Sequence, residues 1–431
     1  MLQIYIETYG CANNKAESEI MAGLLERAGM KVVSVPKEAD ILIVNTCDVK
    51  LTTRNKVLHR LRTLASLHGE ERLIIAGCMP EIEYYYLKSL FPKASLLSTN
   101  YVDEIVKAVS KVLEGKRVEY VGYRRCEKVG LPRVVSNEIV RIVPICSGCN
   151  SACTFCATKL AKGPLYSFDE EKIIGEILLA KESGAKEFWL TGQDVACYGI
   201  EREGRSRLPQ LLENITKRVR GRYYIRVGMM NPKNVLPIVD ELLQVMEHEN
   251  VFKFFHLPVQ SGSDEILKKM RRDYSVGDFV TLVQRIRNRF PLSSLWTDII
   301  VAFPTESEKD FGLSCKLVDE VGFDYVNVSR FSPHKATAAS SLPQLPTSVA
   351  KARSRCLSLL VRRTCERINR KWIGWEGEAI VDEYISKKRS YIARNFAYKP
   401  IVIDDAEVSL GEWIDVRVVA STHSCLIGKV I

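Results

Sequence analysis

The sequence predicts an α/β protein in three parts: an amino-terminal domain with a parallel sheet, a partial (βα)6 barrel, and a small antiparallel β-barrel. Two observations predict the α/β parts, because apolar runs alternate with helical patterns over residues 1–112 and again over residues 138–345. A third observation predicts the β-barrel, since five short alternating runs follow residue 373 without helical patterns between them. That last arrangement is typical of closed barrels of the oligonucleotide-binding kind.

The amino-terminal region, residues 1–112, begins with the apolar run QIYIETYG and a helical pattern near residues 16–29. The runs ILIVNT and RLIIAG lie on either side of a second helical pattern, near residues 52–67. Strands that alternate with helices pair in parallel, so we expect a parallel sheet with helices on its faces. Residues 113–137 are polar and basic, and we expect them to form a linker or an edge hairpin.

The central region, residues 138–372, contains six apolar runs separated by helical patterns and ends in a basic amphipathic helix near residues 349–372. The runs are IVRIVPI, EFWLTG, YYIRVG, FKFFHLPV, LWTDIIVAF and YVNVSRF. In a βα barrel, functional residues lie where strands end and loops begin. Polar residues occupy several of these ends, namely Gln193, Asp194, Arg226, His256, Gln260, Asp298 and Arg330.

The carboxy-terminal region, residues 373–431, carries seven basic and nine acidic residues, so any binding of nucleic acid requires a local patch. One stretch alternates cations with aromatic residues, a composition that suits phosphate contacts and base stacking. The candidate RNA-binding residues in this stretch are Lys387, Lys388, Arg389, Tyr391, Arg394, Phe396 and Lys399. Alternating core and surface positions along two strands would explain the aromatic residues equally well.

The whole chain carries 62 basic and 52 acidic residues, a formal charge of +10 that favours an anionic partner. Two segments concentrate the positive charge: residues 50–62, with five bases and no acid, and residues 351–371, with eight bases and one acid. Such runs are also common on solvated helix faces. No signal-peptide pattern and no run of 18 apolar residues is present, so we expect a cytoplasmic protein without a membrane partner.

The motif GCNSACTFC places Cys149, Cys153 and Cys156 just beyond the first strand of the central region. A 4Fe-4S cluster normally takes four thiolates, so three cysteines leave one iron open to a substrate or cofactor. Cys146 extends the run to four cysteines, which keeps a saturated electron-transfer cluster or a zinc site as alternatives. Zinc sites usually separate their two cysteine pairs by a dozen residues or more, which disfavours zinc.

A second cysteine set consists of Cys11, Cys47 and Cys78, each of which follows a predicted strand of the amino-terminal region. The carboxyl ends of parallel strands lie side by side, so these thiols are expected to converge on one edge of the sheet. The alternative is that they are small buried residues. The remaining cysteines show no such arrangement and are interpreted as core or incidental: Cys126, Cys197, Cys315, Cys356, Cys365 and Cys425.

Several motifs resemble those of the radical S-adenosylmethionine methylthiotransferases over nearly the whole chain. They are TYGCANNKAESE, the NTC and GC triplets, GCNSACTFC, HLPVQSGSDEILKKM and TDIIVAFPTESEKDF. NTCDVK, TGQDVACYG and RVGMMNP are most similar to the archaeal and eukaryotic branch, which modifies threonylcarbamoyladenosine next to the tRNA anticodon. The chain departs from the family at Lys162, where relatives commonly have arginine, at Thr305, where glycine is usual, and at Cys146.

The resemblance implies a methylthiotransferase domain, a radical core and a small RNA-binding barrel called TRAM. It implies that Cys149, Cys153 and Cys156 hold a 4Fe-4S cluster that binds S-adenosylmethionine and cleaves it to a radical that abstracts hydrogen from C2 of adenine. A second 4Fe-4S cluster, which carries the sulfur to be inserted, would be held by the other set, Cys11, Cys47 and Cys78. Residues nominated to line the cofactor are Glu176, Gln193, Arg226 and His256.

The implied partners are tRNA, an external electron donor and an external sulfur source, and the sequence carries no pattern that sets an oligomeric state. Two other enzymatic functions stay open at this point: methylthiolation of isopentenyladenosine in tRNA and methylthiolation of an aspartate in a ribosomal protein. The non-enzymatic alternative is an RNA-binding protein with structural iron-sulfur or zinc sites.

Overall fold

The structure is a computed structural model that describes residues 1–48, 51–404 and 407–431. Its amino-terminal domain contains a six-stranded sheet. Its strands are β1 (Gln3–Thr8), β2 (Lys31–Val33), β3 (Ile41–Thr46), β4 (Leu73–Gly77), β5 (Ser95–Ser98) and β6 (Glu119–Tyr120). They pair in parallel in the order β2-β1-β3-β4-β5-β6, which confirms the predicted parallel sheet. Strand β6 lies within residues 113–137, so part of that segment is an edge strand of the sheet.

Helices cover both faces of this sheet: α1 (Ala12–Arg27), α2 (Leu51–His68), α3 (Met79–Ile82), α4 (Tyr84–Leu90) and α5 (Ile105–Leu113). Ile43 and Ile74 belong to the core on the α1 and α5 side, whereas Leu42 and Ile75 belong to the core on the α2 side. Because both faces are buried, strands β3 and β4 are continuous apolar runs rather than alternating ones. Lys50, part of the basic segment 50–62, lies outside the described residues.

The central region forms an arc of six parallel strands: β7 (Val140–Pro144), β10 (Glu187–Thr191), β11 (Tyr224–Val227), β12 (Phe254–His256), β13 (Ser294–Val301) and β14 (Tyr325–Arg330). The order is β7-β10-β11 and then β12-β13-β14. Parallel bridges between Ile225 and Val251 and between Met229 and His256 join the two halves. This is the predicted partial (βα)6 barrel. A two-stranded ribbon, β8 (Cys146–Ser147) and β9 (Tyr166–Ser167), follows β7.

The helices of the central region run between its strands and then lead to the carboxy-terminal barrel. They are α6 (Ala157–Lys162), α7 (Glu170–Glu182), α8 (Ile200–Glu203), α9 (Leu208–Arg218), α10 (Pro232–Val235), α11 (Val239–Val245), α12 (Asp264–Lys269), α13 (Val276–Arg289), α14 (Glu308–Val321) and α15 (Thr347–Arg370). Helices α13 and α14 begin with capping boxes, in which Ser275 pairs with Asp278 and Ser307 pairs with Asp310. No helix of the described part of the chain is long and apolar enough to cross a membrane.

The carboxy-terminal strands close a small barrel, which confirms the third part of the predicted fold. They are β15 (Glu376–Ile385), β16 (Ser390–Asn395), β17 (Pro400–Ile403), β18 (Trp413–Ser421) and β19 (Leu426–Val430), in the order β15-β16-β17-β19-β18. This barrel packs against the amino ends of the central strands. Tyr398 and Ile380 of the barrel share a buried aromatic cluster with Tyr224, Phe252 and Phe254.

Candidate metal centres and active site

The three-cysteine loop, residues 148–156, connects strand β8 to helix α6. Gly148 begins the loop with a φ of +75°, and a Cβ atom there would lie 1.9 Å from the carbonyl oxygen of Pro164. Only glycine fits this close approach in that conformation. The glycine of GCNSACTFC is therefore needed to fold the loop against the ribbon.

Nitrogen donors are directed at the sulfur atoms of this loop. The backbone N–H of Ser151 donates to Cys149 Sγ at 3.4 Å, and Arg272 Nη1 donates to Cys153 Sγ at 3.4 Å. Burial raises the pKa of the Cys156 thiol to about 11, and a hydrogen bond with Cys197 raises the pKa of Cys149. Metal binding to such thiols displaces their protons, and the donors then face thiolate ligands. The residues present thus fit an iron-sulfur cluster with three cysteine ligands.

Asp194 supports the loop from the end of strand β10. Its buried carboxylate accepts hydrogen bonds from the backbone N–H of Asn231, at 3.0 Å, and from the side-chain amide of Asn234, at 2.6 Å. These two asparagines contact the loop in turn: Asn231 Nδ2 donates to Ser151 Oγ at 3.0 Å, and Asn234 Nδ2 lies 3.2 Å from Asn150 Oδ1. The motifs TGQDVACYG and RVGMMNP therefore hold the cysteine loop in place.

The four residues nominated for the cofactor occupy different surroundings. Gln193 is at the loop, where its Oε1 accepts a hydrogen bond from the Gly148 N–H at 2.8 Å. His256 Nε2 lies 2.7 Å from Asp298 Oδ2, and the register places both residues on paired strands β12 and β13. A cofactor contact for these residues stays a prediction.

Arg226 and Glu176 are engaged by the protein itself. The guanidinium of Arg226 lies 4.6–5.9 Å from the ring centroids of four aromatic residues, Trp189, Phe254, Trp296 and Tyr398. Glu176 Oε1 is 3.0 Å from Arg133 Nη2, and Glu176 Oε2 accepts the Gly130 N–H at 3.0 Å. These contacts support packing roles for both side chains: Arg226 against the carboxy-terminal barrel and Glu176 against residues 113–137.

The second cysteine set converges as the parallel-sheet argument predicts. Strands β3 and β4 end in register, with Thr46 opposite Gly77, so Cys47 and Cys78 follow neighbouring strands. The Cys78 N–H donates to the Thr46 carbonyl oxygen at 3.0 Å. Burial raises the pKa of Cys78 to about 12, with further contributions from the nearby thiols of Cys47 and Cys11. Their role as cluster ligands stays a prediction.

Two asparagines join helix α1 to strand β3 beside these thiols. Asn14 Nδ2 donates to Asn45 Oδ1 at 3.2 Å, and Asn45 Nδ2 donates to the Asn14 carbonyl oxygen at 2.8 Å. Cys11 Sγ donates to Asn14 Oδ1 at 3.3 Å. At Gly10, with φ +126°, a Cβ atom would lie 2.8 Å from the Cβ atom of Cys47. The close approach of residue 10 to Cys47 thus depends on glycine at this position.

A buried charge cluster lies beside the second cysteine set. Glu17 Oε1 is 2.6 Å from Lys128 Nζ and also pairs with Lys162 Nζ, while Thr99 Oγ1 donates to the same carboxylate oxygen at 2.6 Å. All four residues are at most 3% exposed. Burial would raise the pKa of Glu17, but Lys128 and Lys162 lower it to about 2. Sequence reasoning noted only Lys162, as a departure from the family, and missed its partners.

Lys162 connects this charge cluster to the second cysteine set. Burial would lower its pKa, but the charges of Glu17 and of the thiols Cys78 and Cys11 raise it, so the ammonium stays charged. Asn13, Glu17, Cys146, Lys162 and Gln193 line one cavity. The amino-terminal domain and the central barrel therefore meet at a cavity lined by residues of both.

Cys146 is 2% exposed and packs inside the fold. Its Sγ lies 3.7 Å from the Asp194 carbonyl oxygen, and a Cβ atom at Gly192 would lie 2.5 Å from this sulfur. These contacts support the interpretation of Cys146 as a residue of the core. Among the remaining cysteines, Cys126, Cys197 and Cys365 are also buried, Cys315 and Cys425 are half-buried and Cys356 is exposed.

Three of the candidate RNA-binding residues, Lys399, Arg394 and Phe396, contact other side chains of the protein, and their role in RNA binding stays a prediction. Lys399 is 4% exposed and its Nζ lies 2.6 Å from Asp324 Oδ1 of the central region. Arg394 Nε pairs with buried Asp382 at 3.1 Å, and Phe396 packs against tryptophan rings. The pair of Lys399 with Asp324 joins the barrel to the central region, whereas Arg394 and Phe396 contact side chains within residues 372–382.

The other four candidates remain accessible. Lys387, Lys388 and Arg389 are exposed in the turn between β15 and β16, and the half-buried ring of Tyr391 lies 4.8 Å from that of Tyr384. Their role in RNA binding stays a prediction.

The basic segments are only partly available for binding. Arg54 and Arg60 of segment 50–62 form ion pairs with acidic side chains, while Lys56 and Arg62 are exposed. In helix α15, Arg353 is buried against Glu306, whereas one face presents exposed bases at Lys351, Arg355, Arg362 and Arg363.

Two family models match the chain. Residues 3–98 match uncharacterized protein family UPF0004, and residues 143–318 match the radical SAM superfamily. The solved structure of the radical S-adenosylmethionine methyltransferase TsrM from Kitasatospora setae is similar in fold, with a TM-score of 0.58 at 13% identity, over 79% of this chain and 75% of that chain. The cobalamin-dependent radical enzyme OxsB is similar with a TM-score of 0.54 at 10% identity, over 85% of this chain and 56% of that one.

Similar sequences extend over the full length. A probable threonylcarbamoyladenosine tRNA methylthiotransferase of Pyrococcus horikoshii is 40% identical over 434 residues, which cover 100% of both chains. The corresponding protein of Methanothermobacter thermautotrophicus is 36% identical and covers 98% of both chains. The threonylcarbamoyladenosine tRNA methylthiotransferase of Homo sapiens is 29% identical over 99% of this chain and 74% of its own length.

Proposed function

This chain belongs to the family of threonylcarbamoyladenosine tRNA methylthiotransferases, and we propose that it inserts a methylthio group at C2 of N6-threonylcarbamoyladenosine next to the tRNA anticodon. It is a radical SAM enzyme, which uses S-adenosylmethionine and a 4Fe-4S cluster. The observation that carries the proposal is the similarity over the full length of the chain to probable threonylcarbamoyladenosine tRNA methylthiotransferases, and the two sets of three cysteines at strand ends are consistent with it.

The two thiol sets suit different tasks. An iron-sulfur cluster held by Cys149, Cys153 and Cys156 would supply the electron that cleaves S-adenosylmethionine. A cluster held by the second set, Cys11, Cys47 and Cys78, would supply the sulfur for insertion. Gln193 and Asn234 hold the loop of the first set through hydrogen bonds to Gly148 and Asn150. Lys162 places a buried positive charge beside the second set, where it favours thiolates over thiols.

Two further partners follow from the balance of the reaction. Reductive cleavage of S-adenosylmethionine consumes an electron in each turnover, so an external electron donor is needed. Sulfur that leaves with the product must be replaced, so repeated turnover needs an external sulfur source. The tRNA-binding surface includes the exposed turn Lys387–Arg389 and the basic face of α15, which offer cations to the phosphate backbone.

The substrate assignment is tested with anaerobically reconstituted protein and two matched tRNAs that differ only in the threonylcarbamoyl group. Mass spectrometry of the nucleosides should show a methylthio product from the threonylcarbamoyl tRNA alone. Equal activity on unmodified tRNA, or preference for an isopentenyladenosine tRNA or for a ribosomal protein, would overturn the assignment.

The assignment of the two thiol sets is tested by single substitutions. Cys156→Ala should abolish both deoxyadenosine formation and methylthiolation, whereas Cys47→Ala should abolish methylthiolation and still form deoxyadenosine. Cys425→Ala serves as the control, since this half-buried cysteine lies in the carboxy-terminal barrel. Circular dichroism must show that each variant folds, because loss of a metal site can unfold a domain. Methylthiolation at the parental rate by folded Cys47→Ala would contradict the second site.

A further inference from the structure

Three side chains from separate parts of the chain converge beside the second cysteine set. Asp48 directly follows Cys47 after strand β3, Glu83 follows helix α3, and His334 lies in the loop after strand β14. One ligand atom from each of the three side chains lies within 4.8 Å of the other two. The group therefore combines an imidazole nitrogen with two carboxylates at a contact between the amino-terminal domain and the central barrel.

Two of these side chains are buried without hydrogen-bond partners. Asp48 is fully buried and His334 is 5% exposed, yet neither carboxylate oxygen of Asp48 and neither ring nitrogen of His334 has a hydrogen-bond partner. Buried polar atoms are nearly always paired, because an unpaired one costs about 1–3 kcal/mol. His334 Nδ1 lies 3.5 Å from Asp48 Oδ2, so the imidazole is directed at the carboxylate without a hydrogen bond between them.

Arg54 balances only part of the negative charge. Its Nη2 lies 3.0 Å from Glu83 Oε1, and its Nε lies 3.6 Å from Asp48 Oδ1. The guanidinium also lies 5.1 Å from the ring centroid of Tyr86, which fixes it on one side of the group. If a protonated His334 supplied the second positive charge, both of its buried N–H groups would still lack acceptors. A cation that accepts lone pairs from the imidazole and from both carboxylates satisfies all three side chains.

We propose that Asp48, Glu83 and His334 bind a divalent transition-metal ion. One imidazole nitrogen with carboxylate oxygens is a ligand set that suits ions such as Mn²⁺, Fe²⁺ and Zn²⁺. Three protein ligands leave coordination positions open for water or another oxygen ligand. The ion would join the loop after β14 to the amino-terminal domain next to Cys47, and this role goes beyond the proposed methylthiolation.

The test uses anaerobic holoenzyme with its clusters loaded, so that the cluster thiolates are occupied. Mn²⁺ is the probe, since it prefers nitrogen and oxygen ligands to thiolates. The electron paramagnetic resonance signal of free Mn²⁺ should decrease by one equivalent per chain, and the melting temperature should rise with Mn²⁺. His334→Gln and Asp48→Asn should each weaken Mn²⁺ binding by about tenfold or more, on the scale of losing a metal-site contact. Turnover is not measured, so the outcome is independent of the proposed function.

Two controls keep the test decisive. His423→Gln changes an exposed histidine of the carboxy-terminal barrel and should leave Mn²⁺ binding unchanged. Arg54→Gln removes the competing cation and should strengthen binding. The proposal is overturned if the parental protein binds no stoichiometric Mn²⁺, or if its affinity equals that of His334→Gln. Binding that appears only in Arg54→Gln would also overturn it, because Arg54 would then be the resident cation.

Discussion

At the scale of single residues, the buried cluster of Glu17, Lys128 and Lys162 places the charged ammonium of Lys162 beside the second cysteine set. The three side chains come from helix α1, from residues 113–137 and from helix α6. A buried charge interacts strongly with its neighbours, because little water screens it. The charge of Lys162 should therefore affect the electronic properties of a cluster bound at Cys11 and Cys78.

We predict that Lys162→Met lowers the reduction potential of this cluster by tens of millivolts, on the order expected for one buried charge. Loss of a positive charge disfavours the added electron. The potential is measured by electron paramagnetic resonance during a redox titration, in a Cys149→Ala background that holds only the second cluster. Lys162→Arg keeps the charge and is the control. Equal potentials for the methionine and arginine variants would contradict the prediction.

A second prediction concerns Glu187, which is fully buried between the central strands and the carboxy-terminal barrel. Burial, with the charge of Asp382, raises the pKa of Glu187 above its usual value. When folding raises the pKa of a carboxyl, the free energy of unfolding of the protein decreases as the pH rises from the unfolded-state pKa through the folded-state pKa. Glu187→Gln should therefore raise the melting temperature at pH 8 and change it little at pH 4. The same temperature shift at both pH values would argue against this cause.

Residue spacing singled out the two cysteine sets as candidate cluster ligands, because three thiols in one loop and three thiols at strand ends are both unusual. The supporting residues were not predictable in this way. Arg272 contacts Cys153 across 119 positions of sequence, and nothing near Arg272 marks it as a sulfur neighbour. Asp194 was identified only as a strand-end polar residue, since its partners Asn231 and Asn234 come together only when strands β10 and β11 pair.

At the scale of elements, helix α15 has two distinct faces. Leu357, Thr364 and Cys365 are buried toward the central region. Arg355 and Arg362 are seven positions apart and lie on the same exposed side. The periodicity of the sequence predicted this helix near residues 349–372, and the structure has it at Thr347–Arg370.

We predict that replacing Arg355, Arg362 and Arg363 together by alanine weakens tRNA binding and makes the tRNA affinity less dependent on salt concentration. Each lost phosphate contact should reduce the slope of log affinity against log salt by about one, as measured by binding at several salt concentrations. The matched control replaces three exposed arginines that pair with acids, Arg205, Arg218 and Arg285. An equal loss of tRNA affinity in the control would show that the net charge of the protein, rather than the basic face of α15, determines binding.

The sequence placed the strands of the carboxy-terminal barrel well but not their orientation. Alternation of cations and aromatics over residues 387–399 suggested an RNA-binding surface, yet Lys399 pairs with Asp324 of the central region and Phe396 packs against tryptophan rings. Period-two alternation shows that two faces differ in polarity, and it does not show which face another domain covers. The short strand β6 was likewise not distinguishable from a linker, since it has two residues and pairs only at the edge.

At the scale of the whole molecule, the carboxy-terminal barrel closes one end of the central strands. Tyr398 is 3% exposed, and its ring lies 5.0 Å from the rings of both Phe252 and Phe254, measured between centroids. Lys399 pairs with Asp324 and hydrogen-bonds Asn369 at the same contact. The barrel thus covers aromatic side chains that the central region would otherwise expose to water.

Loss of the barrel should therefore destabilise the central region, in addition to any effect on tRNA binding. Deletion of residues 373–431 would expose Tyr224, Phe252 and Phe254, whose burial contributes about 1.5–3 kcal/mol per large apolar side chain. We predict that the truncated protein melts at a lower temperature and binds a hydrophobic dye. Tyr398→Ala should reproduce part of this loss, about 3 kcal/mol, because it leaves a cavity between the two parts.

Replacing Lys387, Lys388 and Arg389 by alanine separates RNA binding from this structural role. The three residues are exposed in the turn between β15 and β16, so the melting temperature should stay unchanged while tRNA affinity falls. Tyr398→Ala should show the opposite pattern. Its melting temperature should fall strongly, whereas its tRNA affinity, measured at a temperature where the variant is folded, should be nearly parental. If the turn variant binds tRNA as tightly as the parent and Tyr398→Ala melts normally, the barrel has neither of the roles assigned to it.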